Sequence, residues 1–255
     1  MSLPIFDLSG KVAVVTGGYW GIGFGVAQGL AEAGAEIVIC ARTLSRCQEA
    51  AAEIEKLGVR VLPIKCDISD VNEVENLIGT TVKEFGKIDI MVNNAGVGGS
   101  SEPTVRVSDD DWNQTIDINL SGAFYCSRAA AREMIKRKEG KIINVSSIAA
   151  SYVFPRMTAY CVSKAGIVQL TRVMAHELAR YNIQVNAILP GYFETPINRE
   201  FFASEAGKKV IERDLLLKRL GDIQEIKGVA IYLASPASSF TTGASFVVDG
   251  GQSLR

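Results

Sequence analysis

The chain alternates between short, almost wholly apolar runs and longer amphipathic stretches. The apolar runs fall at 11–16, 36–41, 59–65, 88–92, 141–145, 183–189 and 244–248. Each is too short for a helix and mostly apolar, the signature of a strand covered on both faces. The segments between them carry helical patterns. Strand and helix in regular alternation predict an α/β fold: a doubly wound, seven-stranded parallel sheet with helices on both faces. Ligands of such sheets bind outside the carboxyl ends of the strands, so the residues that follow each run are the candidates for function.

The first of these junctions reads as a phosphate-binding turn. Lys11 to Thr16 is followed by Gly17-Gly18-Tyr19-Trp20-Gly21-Ile22-Gly23 and then by an amphipathic stretch to Gly34. Strand, glycine turn and helix in this order bind dinucleotides: Gly17 allows the tight turn, Gly21 lets backbone approach a pyrophosphate, and Gly23 permits close helix packing. The spacing is Gly-x-x-x-Gly-x-Gly, which differs from the commoner Gly-x-Gly-x-x-Gly. The second run, Glu36 to Ala41, ends without the Asp or Glu that would hold a ribose 2′-hydroxyl. Arg42 stands there instead, and a guanidinium binds a 2′-phosphate that a carboxylate would repel. NADP is therefore favoured as cofactor, with NAD as the alternative; Arg46 either assists the same phosphate or faces water.

A second cluster points to proton transfer. Tyr160-Cys-Val-Ser-Lys164 lies on a predicted helix, and Ser147 precedes it by thirteen residues across a loop. A free phenol titrates near pH ~10 and needs a neighbouring cation to exchange protons at neutral pH. Lys164, one turn along the same face, can supply that cation. Taken alone the pair also fits a solvated helix face; the other motifs decide between the two readings.

With those motifs in order, the chain resembles the short-chain dehydrogenase/reductase family along almost its whole length, a Rossmann-type fold. Thr16 to Gly23 resembles the family's cofactor turn, Asn93-Asn94-Ala95-Gly96 its motif after the fourth strand, and Asn119, Ser147, Tyr160 and Lys164 its catalytic tetrad. Pro190-Gly191 with Thr195, and Asp249-Gly250-Gly251, complete the likeness, which looks nearest to bacterial sugar dehydrogenases, gluconate 5-dehydrogenases and acyl-carrier-protein ketoreductases. The resemblance implies an NAD(P)-dependent oxidoreductase acting on a ketone, aldehyde or alcohol. Ser147 and Tyr160 would bind the carbonyl oxygen, with Tyr160 as general acid/base. Lys164 would lower the phenol pKa and grip the nicotinamide ribose, while Asn119 would hold a water that relays protons. Asp67 and Ile68 would border the adenine, Asn94, Ala95 and Gly96 would support the ribose, and Pro190, Gly191, Phe193 and Thr195 would hold the nicotinamide end.

Two positions depart from that pattern. Tyr19-Trp20 replaces small or basic residues, so a 2′-phosphate contact expected in many NADP-dependent members is missing at Trp20; the pair either packs over the adenosine, or Trp20 sits on the surface without a role. Cys161 stands beside Tyr160 where alanine is common and is read as a small buried hydrophobe. An enoyl-thioester reductase is the nearer enzymatic rival, but relatives of that kind space Tyr and Lys seven apart, against four here. A catalytically silent dinucleotide sensor or scaffold on the same fold is the rival from another class, and it would not require the full tetrad.

Composition narrows the partners. With 27 basic and 28 acidic residues the net charge is −1, so no broad field draws the protein to nucleic acid or to an anionic membrane. No signal segment or membrane-length apolar run is evident, and the five scattered cysteines read as reduced thiols, which points to the cytoplasm. His176 is the only histidine, which rules out a His-rich metal site within one chain, and it is read as structural. No linker or repeat divides the chain, so 1–255 is expected to form one domain, with a mobile substrate lid at about 192–218. Phe193, Phe201 and Phe202 offer apolar lining in that lid, and Val153, Phe154 and Met157 are candidates for the opposite wall or for core. The helices expected at Trp112 to Met134 and Thr158 to Arg180 carry apolar positions enough for a second buried face, so a homotetramer is expected.

Overall fold

The computed structural model describes residues 3–196 and 198–255; Met1, Ser2 and Ile197, the last within the expected lid, lie outside the described residues. Seven strands form one parallel sheet in the order β3-β2-β1-β4-β5-β6-β7. They are β1 (Val12–Thr16), β2 (Glu36–Ala41), β3 (Val61–Lys65), β4 (Ile90–Asn93), β5 (Gly140–Val145), β6 (Ile183–Pro190) and β7 (Ser245–Val248). The predicted runs land on all seven. Strand β1 is buried at every residue and pairs with two neighbours, Val14 lying opposite both Val38 and Met91. β3 forms one edge, where Pro63 is tolerated because its missing N–H leaves no central ladder bond unmade.

Alternating side chains send the strands into two cores. Ala13, Val15, Ile37 and Ile39 pack with α1 (Gly21–Glu32), α2 (Leu44–Glu55) and, further along the chain, the helix Gln224–Ala234. Val12, Val14 and Val38 pack on the other face against α3 (Val71–Phe85) and two later helices through Leu77, Met134 and Met174. A buried Leu, Ile or Met contributes roughly 1.5–3 kcal/mol relative to exposure, so the two faces together hold the sheet rigid beneath its rims. α3 begins at a capping Asp70, whose carboxylate accepts from Asn72 N–H at 2.7 Å, and ends at Gly86 with φ +79°. α1, by contrast, has no side-chain cap.

The long helix expected from Trp112 to Met134 is interrupted. α4 (Asp109–Ile116) passes through a wide π turn, Asp117–Ser121, into α5 (Gly122–Arg137). The second long helix is α6 (Thr158–Leu178), followed by one 3₁₀ turn. The segment 192–218 holds α7 (Arg199–Ala203) and α8 (Glu205–Asp214), and the Gln224–Ala234 helix is α9. Among the described residues no helix is long and apolar enough to cross a membrane.

Candidate active site

The strand order reverses between β1 and β4, and a cleft of about 720 Å³ opens along the carboxyl rim there. It runs from the ends of β2 and β3 to the end of β6, and every expected cofactor-binding residue lines it: Gly17, Tyr19, Trp20, Gly21, Ile22, Gly23, Arg42, Asp67, Ile68, Asn94, Ala95, Gly96, Tyr160, Lys164, Pro190, Gly191, Phe193 and Thr195. Ser147 lines it as well. Asn119 does not.

The glycine turn is built as its sequence requires. Gly17 and Gly21 have φ of +64° and +54°, the left-handed region that glycine enters without strain. Gly23 serves a different neighbour from the one expected: a Cβ there would stand 2.2 Å from Asn94 Nδ2 and 2.4 Å from Gly17 O, so its bareness lets the β4 turn close on the β1 turn rather than a helix on a strand. Thr16 ties the two turns together, its Oγ1 accepting from Asn94 N–H and Ala95 N–H at 3.0 Å each. Asn94 Nδ2 donates back to Thr16 O at 2.9 Å. The first N–H groups of α1 face the cleft without a side-chain cap, the arrangement that attracts phosphate.

Beyond β5, Ser147 caps a short 3₁₀ turn by accepting from Ala149 N–H at 3.1 Å. Burial pushes the Tyr160 phenol upward while a hydrogen bond with Ser147 pulls it back down, the net direction being up. Lys164 is 5% exposed and donates to Val145 O at 3.0 Å. Its ammonium lies 5.6 Å from the centroid of the Tyr160 ring, and burial lowers its own pKa to about 8. Ser147 thus opposes the rise of the phenol that burial causes.

Asn119 sits in the π turn, 2% exposed. Its Oδ1 accepts from Val97 N–H at 2.8 Å, and its Nδ2 donates to Val97 O at 2.9 Å and to Ser163 Oγ at 3.1 Å. Both amide hydrogens are committed to protein, so the side chain braces the loop after β4 against α6 from behind the cleft wall.

The aromatic and lid positions sort differently from expectation. Tyr19 and Trp20 stack on each other, centroids 6.0 Å apart, with Arg46 5.8 Å from the Tyr19 ring. Both residues line the cleft, and Trp20 is 36% exposed to solvent there. Phe154 and Met157 line the cleft, whereas Val153 points to solvent at 78% exposure. Of the expected lid aromatics, Phe193 lines the cleft while its ring packs against Gly221; Phe201 and Phe202 pack edge to face away from it. Cys161 is half-buried, and His176 is exposed on α6 outside the cleft. Asn198 was missed by sequence reasoning: it accepts from Thr195 N–H at 2.9 Å and donates to Phe193 O at 2.8 Å, latching the loop after β6. The Thr195-x-x-Asn198 spacing is the signal that could have found it.

The residues fit a nicotinamide dinucleotide. Thr195 Oγ1 is buried in the cleft wall with no hydrogen-bond partner, an orphan that an amide such as nicotinamide's would satisfy. The uncapped α1 N-terminus and Arg42 supply the complementary charge at the other end.

A cleft of this kind, at the switch point of a parallel sheet, defines a dinucleotide-dependent oxidoreductase. The chain belongs to the short-chain dehydrogenase/reductase family: the family model described as Enoyl-(Acyl carrier protein) reductase matches residues 17–253. It is 38% identical over 256 residues to 2-dehydro-3-deoxy-D-gluconate 5-dehydrogenase of Dickeya dadantii, covering 100% of both chains. It is 36% identical over 247 residues to 5-keto-D-gluconate 5-reductase of Escherichia coli, covering 97% of each. A crystal structure of a gluconate 5-dehydrogenase from Burkholderia cenocepacia in complex with NADP and tartrate superposes with a TM-score of 0.93 at 37% identity, covering 98% of each chain. The protein is an NAD(P)-dependent oxidoreductase that interconverts a carbonyl group and an alcohol.

Proposed function

We propose that Tyr160 is the general acid/base of this reaction and that NADP is the preferred cofactor. The observation that carries the first claim is the convergence of Ser147, Tyr160 and buried Lys164 on one wall of the cleft. When bound, the cofactor supplies or accepts the hydride. Ser147 and Tyr160 hydrogen-bond the carbonyl oxygen, and Tyr160 protonates it as negative charge develops; in oxidation the same phenol removes the proton. Lys164 holds the ribose and sets a positive field beneath the phenol. Asn119 is a positioning residue, fixing Val97 and the α6 face that carries Tyr160. Gly17 to Gly23 and Asn94 to Gly96 cradle the phosphates and ribose, Asp67 and Ile68 border the adenine, and Pro190 to Thr195 hold the nicotinamide.

Arg42 supports the cofactor choice, being exposed at the cleft end of β2 where a 2′-phosphate would lie. The Burkholderia neighbour carries NADP. Arg42→Asp replaces attraction by repulsion, so its ratio of kcat/KM for NADPH over NADH falls at least about tenfold below wild type. Equal ratios in the two proteins would refute the assignment.

The chain acts as one domain with a substrate lid at about 192–218, works in the cytoplasm and assembles as a homotetramer. Trp112, Phe124, Val162 and Val173 form exposed apolar positions on α4 to α6, and Val247 with Phe240 forms a second set at the β7 edge. Two different two-fold patches generate a tetramer of D₂ symmetry. Light scattering should return four chains' mass; a stable monomer would contradict it.

A further inference from the structure

The two ends of the cleft differ in chemistry. Its charged lining residues other than Lys164, namely Arg42, Arg46 and Asp67, stand beyond β2 and β3. Ser147 follows β5, three strand spacings from the end of β2, roughly 14 Å across the sheet. Around Ser147 and Tyr160 the wall consists of Val97, Gly98, Phe154, Met157, Tyr192 and Asn198. Phe154 and Tyr192 have ring centroids 6.1 Å apart, backed by Tyr152 at 5.2 Å from Phe154 and by Phe202 at 5.1 Å from Tyr192. Of the polar groups on that wall, Asn198 has its amide committed to Thr195 and Phe193, and the Tyr192 hydroxyl is hydrogen-bonded to Gln252. Lys164 is held by Val145 O. The nearby lid cations do not line the cleft and are themselves paired, Arg199 with Glu194 at 2.9 Å and Arg213 with Asp214 at 2.6 Å.

We infer that the substrate is an uncharged ketone or secondary alcohol with a ring or aryl body, and not a carboxylate-bearing sugar acid of the kind in the relatives' names; this rests on the carbonyl/alcohol reading above. A carboxylate brought against this wall loses its water and finds no free cation among the described lining residues. A polyol loses water at each hydroxyl and, apart from Ser147 and Tyr160, meets aromatic edges and committed amides. An apolar ring loses nothing of that kind and gains offset or edge contacts with Phe154 and Tyr192. Ser147 and Tyr160 then have one polar atom to bind, the reacting oxygen.

Steady-state kcat/KM with NADPH and with NADH, measured on cyclohexanone, acetophenone and 5-keto-D-gluconate, tests this. The neutral ketones should exceed the keto acid by about 10²-fold or more, as expected when polar groups must enter an apolar site unpaired. Equal or higher efficiency on 5-keto-D-gluconate would overturn the inference and leave the oxidoreductase reading intact. Calorimetric titration of the NADP-loaded Tyr160→Phe protein separates the two further: 1-phenylethanol should bind and D-gluconate should not. Turnover of none of the three carbonyls by wild type, with 1-phenylethanol still bound, would sink the catalytic reading and support the pocket assignment. Tighter binding of D-gluconate, or no binding of 1-phenylethanol, would sink the pocket assignment.

Discussion

At the amino rim of the sheet Asp89 is buried and saturated, whereas at the carboxyl rim Lys164 is buried with Val145 O as its hydrogen-bond partner. Asp89 accepts from Val12 N–H at 2.8 Å and from Arg137 at 2.6 Å, and pairs with Lys87 at 3.0 Å. Burial alone would raise its carboxyl, but Arg137, Lys87 and the Val12 N–H outweigh burial and hold it below the ordinary carboxylate value. For Lys164 burial acts unopposed and brings the ammonium down to about 8. One rim uses its polar groups to join β1, β4 and α5; the other keeps a cation, a phenol and the orphaned Thr195 hydroxyl within the wall of a cleft. Stability and chemistry are thus separated by the length of the strands, and substitutions at the two rims should move different observables.

The largest such effect is on rate. Ser147→Ala should slow hydride transfer by about 10²-fold or more, because a donor to the developing alkoxide is lost, and should leave the thermal midpoint nearly unchanged. Stopped-flow rates equal to wild type would remove Ser147 from the chemistry. The smaller effects are on stability and have opposite pH signatures. Asp89→Asn should cost about 2 kcal/mol at neutral pH, below the full penalty for a buried pair because Arg137 and Lys87 are partly exposed. The folded carboxyl is depressed, so its contribution is present above the ordinary carboxylate pKa and lost as pH falls through the depressed value; the gap between variant and wild type should close in acid. Lys164→Met should instead gain stability below pH ~8, where the cost of burying the ammonium is full. That advantage should shrink as pH rises from about 8 towards the ordinary lysine value of 10.5, because the folded protein has then released a proton that the unfolded chain still holds. Denaturant unfolding across pH reads both, and parallel profiles would break the contrast.

The sheet was legible because strands covered on both faces need apolar residues at every position, and Val12 to Thr16 or Ile37 to Cys40 can be little else. The glycine turn and the Ser147, Tyr160 and Lys164 set were legible because their chemistry demands particular residues at particular spacings. The π turn at Asp117–Ser121 was not: Asp-Ile-Asn-Leu-Ser keeps an acceptable helical pattern, and Asn119 is tied to Val97 and Ser163, forty-four residues away in the latter case. The substrate wall was hidden for the same reason. Phe154 and Met157 come from the loop before α6 and Tyr192 from the loop after β6, and no local pattern says that Phe154 turns inward while Val153 turns out. Gly23 shows a subtler gap, since its need for close approach was readable but its neighbour, Asn94, was set by the pairing of β1 with β4.

The claim that the carboxyl rim carries the chemistry rests most heavily on one hydroxyl. Single-turnover hydride transfer by Tyr160→Phe, followed through nicotinamide absorbance with cofactor saturating, tests it directly. The ring still fills its place, so cofactor affinity should stay within a few-fold of wild type while the rate falls by roughly 10²–10⁴. A rate within a few-fold of wild type, with the fold intact, would contradict the assignment of Tyr160 as the proton donor.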